Sequence, residues 1–376
     1  MKIHVIGGGP AGLYFSLLMK QFDRSHEIHV FERNAADNTF GWGVVFSRRT
    51  LEILGQGDPA IQQALQRRAM QWENVDIIHR GVKTSVLGNH FAGISRIDLL
   101  QVLQGRCREL GVELHFEAEV TDVRARQDAD LVIGSDGVGS RVRSTFPDSF
   151  RPSIQECRNR YIWLGSPRLF HGLTLIFRTR DEGMFMAHAY KFQPDCSTFI
   201  VECDEGAWRR AGLHELEEPA TLAFLQDVFA EDLDGAPLLS NNSPWIQFLL
   251  VKNQQWYHEN VALLGDACHT AHFSIGSGTK LALEDSLALF EVFREGPPVP
   301  EGLRRYQERR KPVVDSLQEA ANSSLHWFET AYQKADWEVI PFAWDCMTRS
   351  KRVDDTRLRQ RDPAFAARYD EYQRGH

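Results

Sequence analysis

Apolar residues follow two rhythms along this chain, and the switches between them predict its organisation. Residues 2–7 read as a short buried strand ending in glycine. A glycine-rich turn follows, then a helix from about Ala11 to Phe22 carrying Leu13, Leu17 and Leu18. Glu27 to Glu32 alternates as a second strand, so the chain opens with a β-α-β unit. Residues 111–116, 130–134 and 261–265 look like further strands of the same sheet. From about 155 to 250 the pattern changes to aromatic and β-branched stretches such as Tyr161-Ile162-Trp163-Leu164 and Thr198-Phe199-Ile200-Val201, the mark of a mostly antiparallel second lobe. Helical periodicity runs from Thr279 to Phe293 and again from about 302 to 337. The charged tail beyond Arg349 is expected to wrap the surface or end partly disordered. The pattern predicts an α/β chain with a nucleotide-binding domain in two parts, residues 1–150 and 256–300. A β-sheet lobe over 151–255 interrupts it, and C-terminal helices and a tail fill 301–376.

Composition narrows the class without naming it. Apolar residues are 43% and charged residues 25% of 376, ordinary for a globular chain with a well-buried core. A formal charge of -8 gives no reason to expect a nucleic-acid partner, and leaves room for a local basic pocket. None of the six cysteines forms a C-x-x-C or a zinc spacing, so free thiols in a reducing compartment are expected. No run of 18 apolar residues predicts a membrane span, and the first strand begins at once, with no room for a signal peptide. The expected location is the cytoplasm.

Chemistry begins at Gly7-Gly8-Gly9-Pro10-Ala11-Gly12, a G-x-G-x-x-G between the first strand and its helix. Gly7 suits a tight turn, Gly9 a close approach of backbone to a pyrophosphate, and Gly12 close helix–strand packing. Glu32 ends the next strand twenty residues after Gly12, where a carboxylate can accept hydrogen bonds from a ribose. Together they predict a dinucleotide site but do not choose between FAD and a nicotinamide cofactor.

Two further stretches make that choice by resemblance. Asp136-Gly137-Val138-Gly139-Ser140-Arg141-Val142-Arg143 resembles the D-G-x-x-S-x-V-R stretch of the class A, aromatic-hydroxylase branch of the flavoprotein monooxygenases. Gly265-Asp266-Ala267-Cys268-His269 is similar to that family's G-D-A-A-H signature. The resemblance covers nearly the whole chain. It implies a Rossmann-like, glutathione-reductase-type FAD domain, with the antiparallel sheet as a substrate-side insertion. It also implies that Asp266 lies at the FAD ribityl chain, that Gly276 and Gly278 present backbone N–H groups to the flavin pyrimidine edge, and that Arg96 approaches the pyrophosphate. Arg33 and Gly43 complete the cofactor-side candidates. Phe273 and Lys280 depart from the family's usual proline and asparagine, which changes the pocket beside the flavin.

A narrower likeness lies in residues 40–47 (Phe-Gly-Trp-Gly-Val-Val-Phe-Ser), residues 269–280, Ala187-His188-Ala189-Tyr190 and Trp327-Phe328-Glu329. These stretches are similar to salicylyl-CoA 5-hydroxylases and to the hydroxylase part of anthraniloyl-CoA monooxygenases, which implies a stand-alone hydroxylase of an aryl-CoA thioester. They also resemble the indole-ring hydroxylase of violacein synthesis, so a fused aromatic substrate stays open. The family implies reduction of FAD by NADH or NADPH, O₂ as oxygen source, and a hydroxylated ring as product. No second dinucleotide motif is visible, so the nicotinamide donor is expected to dock transiently.

On the substrate side His188 and Tyr190 share one face of a predicted strand, and His272 lies in the loop expected beside the flavin. Each has a plain alternative as a satisfied structural residue. Lys280 either neutralises charge on the reduced flavin or lines the helix surface. His269 is expected to be structural. A competing class, a flavin reductase that turns over without O₂, shares both glycine and G-D signatures.

Overall fold

The structure is a computed structural model that describes residues 1–39 and 41–375; Phe40, which opens the 40–47 stretch, and His376 lie outside the described residues. Lys2–Ile6 pairs in parallel with Glu27–Phe31 on one side and Leu131–Gly134 on the other. Glu113–His115 extends the sheet at one edge, and Val261–Leu263 followed by Tyr257–His258 extends it at the other, making six strands. Ile3, Val5, Ile28, Val30 and Ile133 are buried in one cluster with Leu13 and Leu17 of helix Pro10–Phe22 and with Leu99 and Leu103 of helix Arg96–Leu110. That burial is what a parallel sheet requires. Pro10 starts its helix at a position where a missing N–H costs nothing.

The second sheet has seven strands in the order Ile246–Asn253, Pro152–Ser166, Cys196–Asp204, Gly183–Gln193, Leu173–Arg180, Val75–His79, Val82–Val86. Its pairs are antiparallel except Leu173–Arg180 with Val75–His79. Residues 75–86 therefore pair with the second sheet rather than the first. Their hairpin turns at Arg80-Gly81, both with positive φ (51° and 75°), and buries Val75 and Ile77 against Leu175 and Phe177. A third, three-stranded sheet joins Gly43–Ser47, Phe91–Ser95 and Met70–Trp72.

The last helical stretch breaks earlier than its periodicity predicts. A 32-residue helix ends at Thr330, and Val339–Thr348 follows as a separate one. In the tail, expected to wrap the surface or end partly disordered, Asp355–Arg361 and Pro363–Gly375 are helices. Leu358 and Phe365 are fully buried, and Asp362 receives N–H bonds from both Phe365 (2.9 Å) and Leu87 (2.7 Å). Two apolar anchors seven residues apart outweigh the surrounding charge. Among the described residues no helix is long and apolar enough to cross a membrane.

Candidate active site

The glycine turn is built for an anion. Gly7 has φ +106°, and a Cβ there would meet the Ser135 carbonyl oxygen at 2.3 Å. A Cβ at Gly12 would meet the Gly7 carbonyl oxygen at 2.4 Å, so only glycine lets helix and strand close this tightly. Helix Pro10–Phe22 starts at Gly9, and helix Gly278–Arg294 starts at Ser277; neither has a side-chain cap. A Cβ at Gly9 or at Gly278 would touch nothing within 4 Å among the described residues. Both helices thus open uncapped N–H groups and the positive end of their dipoles onto unfilled space, the setting that recruits anionic or carbonyl oxygens. The Ser286 hydroxyl donates to the Ala11 carbonyl (2.8 Å) and ties the middle of the second helix to the first turn of the first. Gly276 is exposed, and a Cβ there would reach Val45 at 4.0 Å.

Glu32 holds the turn in shape: it accepts from Gly8 N–H (2.8 Å) and from the backbone and side chain of Asn34 (2.9 and 2.8 Å). Arg33 beside it is exposed. Asp136 accepts from Ser140 Oγ (2.5 Å) and from the N–H groups of Arg141 (2.7 Å) and Val142 (3.1 Å), while burial pushes its carboxyl pKa up. Arg143 then donates to the Ala267 carbonyl (2.9 Å), so this stretch acts by fixing the loop that carries Asp266.

Arg96 and Asp266 carry the electrostatic signature. Asp266 is enclosed by protein, yet its side chain is open to water, so it lines a cavity rather than a packed core. Burial raises its pKa, with the Arg96 charge opposing, and burial lowers that of Arg96, with Asp266 opposing. Arg96 Nε is sealed from water with no hydrogen-bond partner among the described residues. A buried N–H of a charged group left unpaired in this way is costly unless an acceptor is supplied. Two uncapped helix starts, an unfilled cradle at Gly9 and an orphaned arginine fit the phosphates and pyrimidine edge of FAD.

Lys280 does not stand free. Its ammonium meets Glu284 (3.1 Å), Glu284 meets Arg310 (2.8 Å), and Arg310 reaches Asp285 (2.6 Å). Asp285 also accepts from Gly265 N–H (3.1 Å) and lies 2.7 Å from His269 Nε2. This buried ionic chain gives His269 a structural place and pins the Gly265 turn. Tyr190 is committed too: its hydroxyl donates to the Gly43 carbonyl (2.7 Å), and Gly43 N–H donates to Thr198 Oγ1 (3.0 Å). Gly43, with both its backbone groups engaged, packs the small sheet against the second sheet; a Cβ there would meet Phe192 at 2.4 Å.

His188 is different. Its Nε2 lies 3.1 Å from the carboxylate of Glu202, whose other oxygen accepts from Asn159 (2.8 Å). His188 pairs with Ile200 across two strands, which sets Glu202 on its diagonal, same-face neighbour. Burial pushes the Glu202 pKa up, but His188, His272 and Asn159 prevail and hold it below the ordinary value. The carboxylate therefore fixes the proton on His188 Nε2 and leaves Nδ1 as the basic nitrogen. Nδ1 has no partner among the described residues and is not sealed from open space. The ring stands edge-on to Phe273 (5.3 Å between centroids), and Tyr161 also packs on Phe273 (4.8 Å). Glu202 and Asn159 escaped the sequence reading; a lone carboxylate in the apolar run 198–203 was the available signal.

His272 ends a donor chain. Arg349 Nε donates to Ser324 Oγ (2.9 Å), which stands 2.9 Å from Ser274 Oγ, itself 2.9 Å from His272 Nδ1. The Ser274 backbone N–H also donates to His272 Nδ1 (3.4 Å), which makes that nitrogen an acceptor. Burial pushes the His272 pKa down to about 4, with Glu202 opposing. The unfolded chain, with histidine near 6.5, binds the extra proton between pH 6.5 and 4. His272 therefore withdraws stability as pH falls through that window and withdraws none above it. His272→Asn is expected to flatten this part of the apoprotein's stability–pH curve, measured by urea unfolding at pH 7.5 and 5. An unchanged difference between the two pH values would contradict the neutral, buried assignment.

Comparison with known proteins agrees with this geometry. Residues 1–321 match the FAD binding domain family. The chain is 40% identical to a salicyloyl-CoA 5-hydroxylase from Streptomyces sp over 98% of its own length and 73% of that relative's. It is 34% identical to the protodeoxyviolaceinate monooxygenase of Chromobacterium violaceum, over 94% and 95% of the two chains. A solved structure of 2-methyl-3-hydroxypyridine-5-carboxylic acid oxygenase shares the fold, with TM-score 0.73, 17% identity, and 93% and 96% of the chains covered. The chain belongs to the FAD binding domain family, and it is a flavin-dependent aromatic monooxygenase that takes its electrons from NADH or NADPH.

Proposed function

We propose that the substrate is a hydroxylated aryl-CoA thioester such as salicyloyl-CoA, and that the ring is hydroxylated para to its existing hydroxyl. The observation that carries this reading is the His188–Glu202 pair with Nδ1 left open. A phenol becomes a strong carbon nucleophile at its para position once its proton is drawn off, and a neutral imidazole backed by a buried carboxylate is suited to draw it. An indole ring is electron-rich without that step, so the pair favours a phenolic substrate over a fused aromatic one. The 40% identity to a salicyloyl-CoA 5-hydroxylase supports the same choice.

In this reading Arg96 and the uncapped start at Gly9 hold the FAD pyrophosphate, Glu32 the ribose, and Asp266 the ribityl chain. Gly276 and Gly278 hold the pyrimidine edge, and Arg33 stays at the rim. FAD, once reduced by NADH or NADPH, supplies the activation of O₂. His188 Nδ1 takes the substrate proton, Glu202 steadies the imidazolium that results, and Phe273 and Tyr161 keep water from the ring. Tyr190 and Gly43 act by holding the small sheet in place, and Lys280 by anchoring the helix that starts at Gly278. Residues 1–150 and 256–300 form the FAD side, with 75–86 lent to the substrate-side lobe of 151–255, and 301–376 buttress both. Six free cysteines support a reducing, cytoplasmic setting. The test is NADH and NADPH oxidation by the FAD-loaded protein with salicyloyl-CoA, free salicylate and an indole carboxylate. Salicyloyl-CoA is expected to stimulate oxidation most; stimulation by the indole alone would overturn the reading.

A further inference from the structure

The outer face of the six-stranded sheet carries a cluster of donors that the flavin chemistry does not use. Side chains alternate along a strand, so Glu27, His29 and Phe31 share the face opposite buried Ile28 and Val30. The parallel register sets His29 beside Glu113 and Phe31 beside His115 on the edge strand Glu113–His115. His29 Nδ1 lies 3.1 Å from His115 Nε2 and 3.2 Å from Glu113 Oε2, and the latter two atoms lie 3.9 Å apart. Ligands about 2.0–2.1 Å from one ion in a tetrahedral shell stand roughly 3.3 Å from each other. The three atoms therefore already form the open face of such a shell.

We infer that His29, Glu113 and His115 bind a divalent first-row transition metal, with Zn²⁺ as the reference ion and water completing the shell. Two imidazoles and one carboxylate suit Zn²⁺, Ni²⁺ or Cu²⁺ and not Mg²⁺ or Ca²⁺, which take oxygen ligands. The surroundings are those of a prepared ligand. His29 Nε2 lies 3.0 Å from Glu27 Oε1, so the carboxylate holds the proton on Nε2 and turns the Nδ1 lone pair toward the other two donors. Phe31 stacks on His115 at 5.0 Å between centroids and fixes that ring's plane. His4 stands edge-on to His29 at 5.8 Å with its Nδ1 on the Arg126 carbonyl (3.2 Å), and the donor atoms that converge among the described residues are those of His29, Glu113 and His115. The ion would clip the three-residue edge strand to Glu27–Phe31, directly before Glu32.

The experiment is calorimetric titration of tag-free, FAD-loaded protein with Zn²⁺, beside Mg²⁺ as control. The expected result is one Zn²⁺ per chain, no saturable Mg²⁺ binding, and a rise in melting temperature with Zn²⁺. His115→Ala is expected to abolish the binding, and Glu27→Gln to weaken it roughly 10-fold or more through His29 orientation. Melting curves without metal show whether each variant is folded. His29→Gln, which keeps a polar side chain, gives a second ligand variant that does not rest on His115. No saturable Zn²⁺ binding, or binding of equal strength in His29→Gln and His115→Ala, would overturn the assignment. The latter result would place the ion on another donor set.

Discussion

Arg96→Met is expected to weaken FAD binding at least about a hundredfold while leaving the apoprotein no less stable than the parent. The two effects come from one fact, the guanidinium enclosed beside Asp266 with its Nε unpaired. In the apoprotein that Nε–H has lost water without gaining a partner among the described residues, so an apolar side chain of similar length removes a cost. With FAD bound, each charge-assisted bond to a phosphate oxygen contributes about 1.5–3 kcal/mol, and two of them exceed the roughly 2.7 kcal/mol that a hundredfold represents. Flavin fluorescence titration and a thermal melt of the apoprotein read the two signs separately. A variant with FAD affinity within threefold of the parent would remove Arg96 from the cofactor site. A strongly destabilised apoprotein would make it a structural residue instead.

The second large effect belongs to the buried pair. His188→Gln is expected to lower kcat for a phenolic thioester by about 10²–10³, within the range of a lost general base, with FAD affinity unchanged. Glu202→Gln keeps the shape and the Asn159 contact but no longer steadies a charged imidazole. It is expected to lower kcat by a similar factor and to shift the pH–rate profile. A purely structural role for the pair predicts loss of melting temperature and KM effects with an unshifted profile. The substrate itself offers an independent readout, because a bound phenol that loses its proton changes its absorbance. The parent is expected to show the phenolate spectrum near neutral pH and His188→Gln to need a higher pH for it. Identical spectra in the two proteins would take the base role from His188.

What the sequence made legible was whatever the chain encodes locally. The turn Gly7–Gly12, the strand end at Glu32 and the loop at Asp266 lie within short stretches whose residue types serve only a few geometries. Most strands of the two larger sheets were legible as short apolar, β-branched runs, because strands such as Lys2–Ile6 and Cys196–Asp204 are buried on both faces. What failed depends on register and partners across the chain. Glu202 meets His188 only because two strands pair with Ile200 opposite His188, and no periodicity reveals that offset. Tyr190 shared the predicted face with His188, but its hydroxyl is spent on Gly43, 147 residues away. Lys280 was readable: Glu284 stands four residues on, the spacing of a helical ion pair. The hairpin at 75–86 hid because Arg80-Gly81 is an unusual pair for a two-residue turn, and the tail because its two anchors are sparse among charges.

Oxygen transfer to a phenolic ring held as its CoA thioester is decided by turnover of salicyloyl-CoA under ¹⁸O₂, with the FAD-loaded protein and NADH or NADPH. The expected product carries one ¹⁸O as a new hydroxyl para to the first, formed in step with nicotinamide oxidation. Nicotinamide oxidation that leaves the thioester unlabelled, or that proceeds equally well without O₂, would contradict it.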